Sequence, residues 1–167
     1  MAKRIVSVTT QTPTATGDAA NLVDATYPFL LQGGSTTQRS NVLEIYLGGQ
    51  AGSSAPTFMI LSRDSTIAVT NSNGAGQTDA ALDAATAALT AAALTGNTNT
   101  TKPQRSSSLH LLNLSFNAFG GIVRWVAAPG EEISVVGNTA SLGEVSLSAF
   151  SGGTTGLLGA HMIYESF

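Results

Sequence analysis

The stretch Ser108–Trp125, Ser-Leu-His-Leu-Leu-Asn-Leu-Ser-Phe-Asn-Ala-Phe-Gly-Gly-Ile-Val-Arg-Trp, decides the reading of the fold. Its first half alternates: Leu109 and Leu111, with Phe116 further on, are read on one face, and His110, Leu112 and Leu114 on the other. Its second half, continued to Gly121–Ala127, is a β-branched and aromatic run interrupted by Arg124. Runs of this kind fit a pleated, half-buried surface. Gly120-Gly121 supplies backbone angles that a side chain would forbid, so the chain turns or bulges there. The stretch reads as the spine of a β-sandwich, and no residue in it carries obvious chemistry.

Outward from this spine the pattern repeats. Upstream, Ile5–Val8 alternates at the head of a segment, residues 1–12, that reads as a short strand or an extended docking arm. Apolar runs follow at Tyr27–Gln32, Asn41–Leu47, Thr57–Leu61 and Thr66–Thr70, closed by turn signals such as Gly33-Gly34 and Gly48-Gly49. Downstream lie Ile133–Val136, Glu144–Phe150 and Leu157–Tyr164, separated by Ala128-Pro129-Gly130-Glu131, Gly137-Asn138 and Gly152-Gly153. Residues 97–107 read as a loop. About eight to ten short strands at this spacing imply a sandwich, barrel or jelly roll.

One segment departs from the pattern. Residues 79–94 are rich in alanine, with leucines at Leu82, Leu89 and Leu94. Alanine has the highest helix propensity, Asp79 can cap the start and Gly96 can end it. The expectation is an all-β, jelly-roll-like antiparallel β-sandwich with one inserted Ala-rich helix at 79–94. Residues 13–167 would form a single domain behind the arm. The helix has a narrow apolar stripe, which packs on its own domain or on another subunit, so Leu82, Leu89 and Leu94 are the candidate subunit-interface residues.

Composition narrows the function classes. Only 10% of the 167 residues are charged, against roughly 25% in ordinary domains, while 43% are hydrophobic. A surface of small neutral side chains suits broad protein contacts better than steering of a charged ligand. The net charge of −3 argues against nucleic acid as the main partner. No cysteine is present, so no disulfide, thiol nucleophile or Cys-ligated metal is available. No run approaches the ~20 apolar residues of a membrane span.

No catalytic constellation is visible. His110 and His161 lie in predicted strands outside any cluster of His, Asp and Glu, so no metal cluster is read and no cofactor is implied. Glu131-Glu132 adjoin a Pro-Gly turn, which points to solvation. Glu44 and Glu144 lie in predicted strands and either face each other or form ion pairs with Arg124 or Arg63. Gly74-Ala75-Gly76-Gln77-Thr78 lacks the Lys-Ser/Thr of a phosphate-binding loop. Trp125 is assigned to the core.

Three segments together carry a resemblance: Asn-Val-Leu-Glu-Ile-Tyr-Leu-Gly-Gly-Gln-Ala at 41–51, Phe-Asn-Ala-Phe-Gly-Gly-Ile-Val-Arg-Trp-Val-Ala-Ala-Pro-Gly-Glu-Glu at 116–132, and Leu-Ser-Ala-Phe-Ser-Gly-Gly at 147–153. In style and composition they resemble the small virion proteins of tailed bacteriophages, the capsid cement or decoration proteins. The resemblance implies a non-enzymatic homotrimer or similar closed ring, made in the host cytoplasm and seated on the outer capsid surface over the major capsid protein. It implies that the N-terminal arm docks, with Lys3, Arg4, Ile5 and Val6 meeting the shell by strand addition. Competing readings are a jelly-roll major coat protein, and a carbohydrate- or receptor-binding sandwich of a fibre or adhesin. The weakest is an enzyme on a cupin-like barrel.

Overall fold

The structure, a computed structural model, describes residues 4–10, 29–32, 39–66, 69–70, 80–82, 92–94, 99–101, 104–136, 143–149 and 157–167. Every regular element among them is a strand: β1 (Arg4–Thr10), β2 (Phe29–Gln32), β3 (Arg39–Gln50), β4 (Pro56–Thr66), β5 (Val69–Thr70), β6 (Ala80–Ala81), β7 (Ala92–Leu94), β8 (Asn99–Thr101), β9 (Gln104–Asn117), β10 (Phe119–Val126), β11 (Ile133–Val136), β12 (Val145–Ala149) and β13 (Leu157–Ser166). One antiparallel sheet has the order β10-β3-β13-β1-β6, with β11 also on β3. A second has the order β7-β2-β12-β4-β9, and β5 pairs with β8 in a small ribbon.

Many of the connections cross between the two main sheets. β1, β3, β10 and β13 belong to the first, and β2, β4, β9 and β12 to the second. Side chains from both sheets meet in one core: Val42, Ile45, Leu47, Met162 and Tyr164 from the first, and Leu31, Met59, Leu61, Leu114, Phe116, Val145 and Leu147 from the second. Each such side chain stabilises the fold by about 1.5–3 kcal/mol relative to an exposed one. Trp125 packs half-buried against this cluster.

The Ser108–Trp125 spine is two strands, with details that differ from the alternation read above. Leu114 and Phe116 share the core face, while Leu109 and His110 are exposed and Leu111 and Leu112 both half-buried. A register shift on β4, from Leu61 opposite Leu112 to Ser62 opposite His110, leaves Leu111 unpaired. That bulge changes which side chains face inward. The turn falls at Ala118, whose N–H donates to the Ala55 carbonyl (2.9 Å). The Asn117 carboxamide oxygen accepts from the backbone N–H groups of Ala55 (2.9 Å) and Phe119 (3.0 Å), which fixes the corner where the chain changes sheet. The glycine pair follows as a bulge between Phe119 and Ile122, with Gly120 at φ +76°. Gly49 lies inside β3 rather than closing it, and it is a glycine where a Cβ would come within 2.6 Å of the Ala118 Cβ.

A helix over 79–94 is not what the described ends of that segment form. Ala80–Ala81 pairs with β1 at the edge of the first sheet, and Ala92–Leu94 pairs with β2 at the edge of the second. Residues 83–91 lie outside the described residues. Alanine's helical advantage over ordinary residues is below about 0.7 kcal/mol each. A sheet edge that supplies ready hydrogen-bond partners overrides it at both ends. The expected loop at 97–107 likewise contains β8 and the start of β9.

Candidate functional site

The outward side of β10 and β3 carries the exposed apolar surface of the first sheet. Along β10, Val123 and Trp125 turn toward the core, so Ile122, Arg124 and Val126 turn away. Ile122 is 65% exposed, Val126 53% and Phe119 57%, and Tyr46 on β3 lies opposite Arg124. β10 is also an edge. The Ala127 N–H donates to the Leu43 carbonyl (2.9 Å), which sets the phase of the ladder. Val123 and Trp125 therefore spend their backbone groups on β3, and those of Ile122, Arg124 and Val126 point away from the sheet. Among the described residues no strand pairs with that side.

The charge within this surface is internally matched. Arg124 Nε donates to Glu44 Oε1 (2.7 Å) and Nη2 to Oε2 (2.9 Å), a two-pronged pair across β10 and β3. The Arg124 hydrogen bond is the main reason the Glu44 carboxyl is held below its usual range, with the charges of Arg124 and His161 adding to it. His161 on β13 lies opposite Tyr46 and is half-buried. The arrangement offers apolar contact and open backbone hydrogen bonds around a neutralised pair; it contains no nucleophile with an adjacent base.

The residues singled out in the sequence do not gather in one place. Lys3 lies outside the described residues. Arg4, Ile5 and Val6 are in β1, opposite Ser166, Glu165 and Tyr164 of β13, with β6 on the other side of Val6 and Ser7. The backbone of this segment is thus engaged in the protein's own sheet. Leu82 follows β6 and is 59% exposed, Leu94 lies in β7 of the other sheet opposite Leu30, and Leu89 is outside the described residues. Of the two glutamates, Glu44 pairs with Arg124 as one reading held, and Glu144 is fully buried against the second sheet. Glu132 accepts from the Gly130 N–H (3.1 Å) within its turn. His110 is exposed on β9, in a different sheet from His161.

Sequence reasoning missed the apolar edge itself, because Ile122 and Val126 look like core residues until the strand's neighbours are known. It also passed over Asp64, which is buried. Among the described residues, no three His, Asp or Glu side chains are placed to hold a metal ion, and no helix is long and apolar enough to cross a membrane. Comparison with protein-family models, with curated proteins and with solved structures gives no match.

Proposed function

We propose that the chain is a structural virion protein: a jelly-roll sandwich that associates with copies of itself and cements the outer surface of a phage head. The observation that carries this reading is the open apolar edge at Phe119, Ile122 and Val126, set on a protein with few charges. An edge strand that pairs with no further strand among the described residues invites pairing with another chain. A neutral surface gives up little hydration on docking. The strand order supports the jelly-roll part, since the sheets β10-β3-β13-β1 and β2-β12-β4-β9 are interleaved as in a double Greek key. Closed symmetry would bury the edges and multiply weak contacts with a shell of major capsid protein.

The test is the solution mass of the full chain by light scattering at two concentrations, followed by sedimentation with empty phage heads. A closed oligomer at both concentrations that co-sediments with heads is expected. Ile122→Glu should reduce it to a monomer with an unchanged far-UV circular dichroism spectrum. A wild-type monomer that leaves heads unbound would overturn the proposal.

A further inference from the structure

Residues 122–126, Ile-Val-Arg-Trp-Val, read almost the same in both directions: a β-branched residue at each end, an apolar one inside each, and Arg124 at the centre. Val123 and Trp125 take the hydrogen bonds of β3, so the N–H and C=O groups of Ile122, Arg124 and Val126 lie along the open edge. An antiparallel strand added there must set three hydrogen-bonding residues of its own opposite these three. A second β10 does so. A two-fold axis at Arg124 places Ile122 opposite Val126 of the partner subunit, and Val126 opposite the partner's Ile122.

The side chains match in this register on both faces. On the outer face β-branched Ile122 meets Val126 of the partner subunit. On the inner face Val123 meets Trp125 of the partner subunit, an aromatic and β-branched cross-strand pair. Val123 and Trp125 are each half-buried against their own core, so part of each side chain is still open to a neighbour. The centre is where repulsion would arise, since Arg124 stands opposite the same arginine. Each guanidinium is already held in two prongs by its own Glu44 (2.7 and 2.9 Å), so the row across the axis, Glu44-Arg124-Arg124-Glu44, carries no net charge. Beyond the five residues, Gly120 and Gly121 are set against Ala128 and Ala127 of the partner subunit, small against small. Sliding one strand by two residues sets Ile122 against Ala128, past the end of β10, or Val126 against Gly120, inside the bulge. Either shift loses hydrogen-bonded pairs and puts Arg124 opposite an apolar residue.

We propose that two copies join through β10 about a two-fold axis at Arg124, so that their first sheets run on as one. The inference rests on the reading that the chain associates with itself, and adds to it the strand, the symmetry and the register. Three opposed pairs exchanging two bonds each give about six backbone hydrogen bonds, within the ~10 ± 5 of a typical interface. The exposed parts of Phe119, Ile122 and Val126 come to roughly 300 Å² per copy. Two copies thus offer about 600 Å² toward the ~900 Å² apolar share of a standard interface.

The chain has no cysteine, so single cysteines report the register. Arg124→Cys, Ile122→Cys and Val126→Cys are made separately and mildly oxidised. Opposed hydrogen-bonding residues have Cα atoms ~5.5 Å apart, within disulfide reach, whereas position 122 or 126 lies ~14 Å from its own copy. Arg124→Cys should therefore cross-link with itself, and Ile122→Cys with Val126→Cys when the two are mixed. Both reactions should run at least about tenfold faster than either outer variant alone. Equal cross-linking of all three variants alone would overturn the two-fold. Light scattering of the unmodified chain separates this inference from the reading beneath it. An oligomer whose variants do not cross-link in this pattern overturns the β10 pair and leaves self-association standing; a monomer at every concentration overturns both. If a cysteine variant does not fold, amide exchange of the unmodified chain decides. The N–H groups of Ile122, Arg124 and Val126 should exchange at least about tenfold more slowly in the oligomer than on dilution, with those of Val123 and Trp125 unchanged. No slowing at the first three refutes the pair.

Discussion

The two main sheets present opposite outward faces. The second sheet hides polar and charged groups (Ser62, Asp64, Arg105, Ser146, Ser148), while the first exposes apolar ones (Ile122, Val126, Phe119). Both reverse the usual rule, and both do so on strands whose inward faces obey it. A strand's inner face is thus set by the shared core, whereas its outer face is free to serve another purpose. Where that face is sealed, polar side chains must satisfy one another. Where it stays open, apolar side chains persist at no cost to the fold and remain available to a partner.

This contrast can be tested by substitution, with the strongest effects on the sealed side. Arg105→Ala removes a buried guanidinium from opposite Asp64, and denaturant unfolding at neutral pH should show a loss of about 3–5 kcal/mol. At the corner where the chain crosses between sheets, Gly49→Ala should cost about 1–3 kcal/mol by pressing a methyl group against Ala118. Ser146→Ala strips Asp64 Oδ1 of its donor and should cost about 1–2 kcal/mol by the same assay. On the open side, Ile122→Ser and Val126→Ser should stay within about 0.5 kcal/mol of wild type in stability while weakening self-association in light scattering. Smallest of all, Arg124→Ala should leave the melting temperature essentially unmoved, since the pair it breaks is solvated. A large destabilisation from Ile122→Ser, or none from Arg105→Ala, would erase the distinction between the faces.

Much of the fold was legible because it rests on local pattern. The strand at Ile133–Val136 was read with its observed bounds, and Glu144–Phe150 and Leu157–Tyr164 nearly so, since turn residues bracket alternating side chains there. The Ala-rich segment was not legible: its ends become strands only because β1 and β2, distant in sequence, offer edges to pair with. Faces were harder still. In β12, Ser146 and Ser148 have the period of a solvated side, and nothing within the strand tells that Asp64 and Arg105 lie beside it in a sealed environment. The Glu44–Arg124 pair was among the sequence readings because both residues interrupt apolar runs, where an unmatched charge would be out of place.

The position of β13 bears on how the chain reaches its native state. It lies between β3 and β1, with Arg4 opposite Ser166, so the first sheet has no continuous ladder until residues 157–166 have left the ribosome. Nascent β1 and β3 must wait with their β13-facing edges open while the chain from β3 to β13 is synthesised. Pairings of such long sequence separation form slowly. The sparse charge that suits the finished surface offers little protection during that interval, and expression yield should depend on chaperone supply more than the stability of the folded protein would imply.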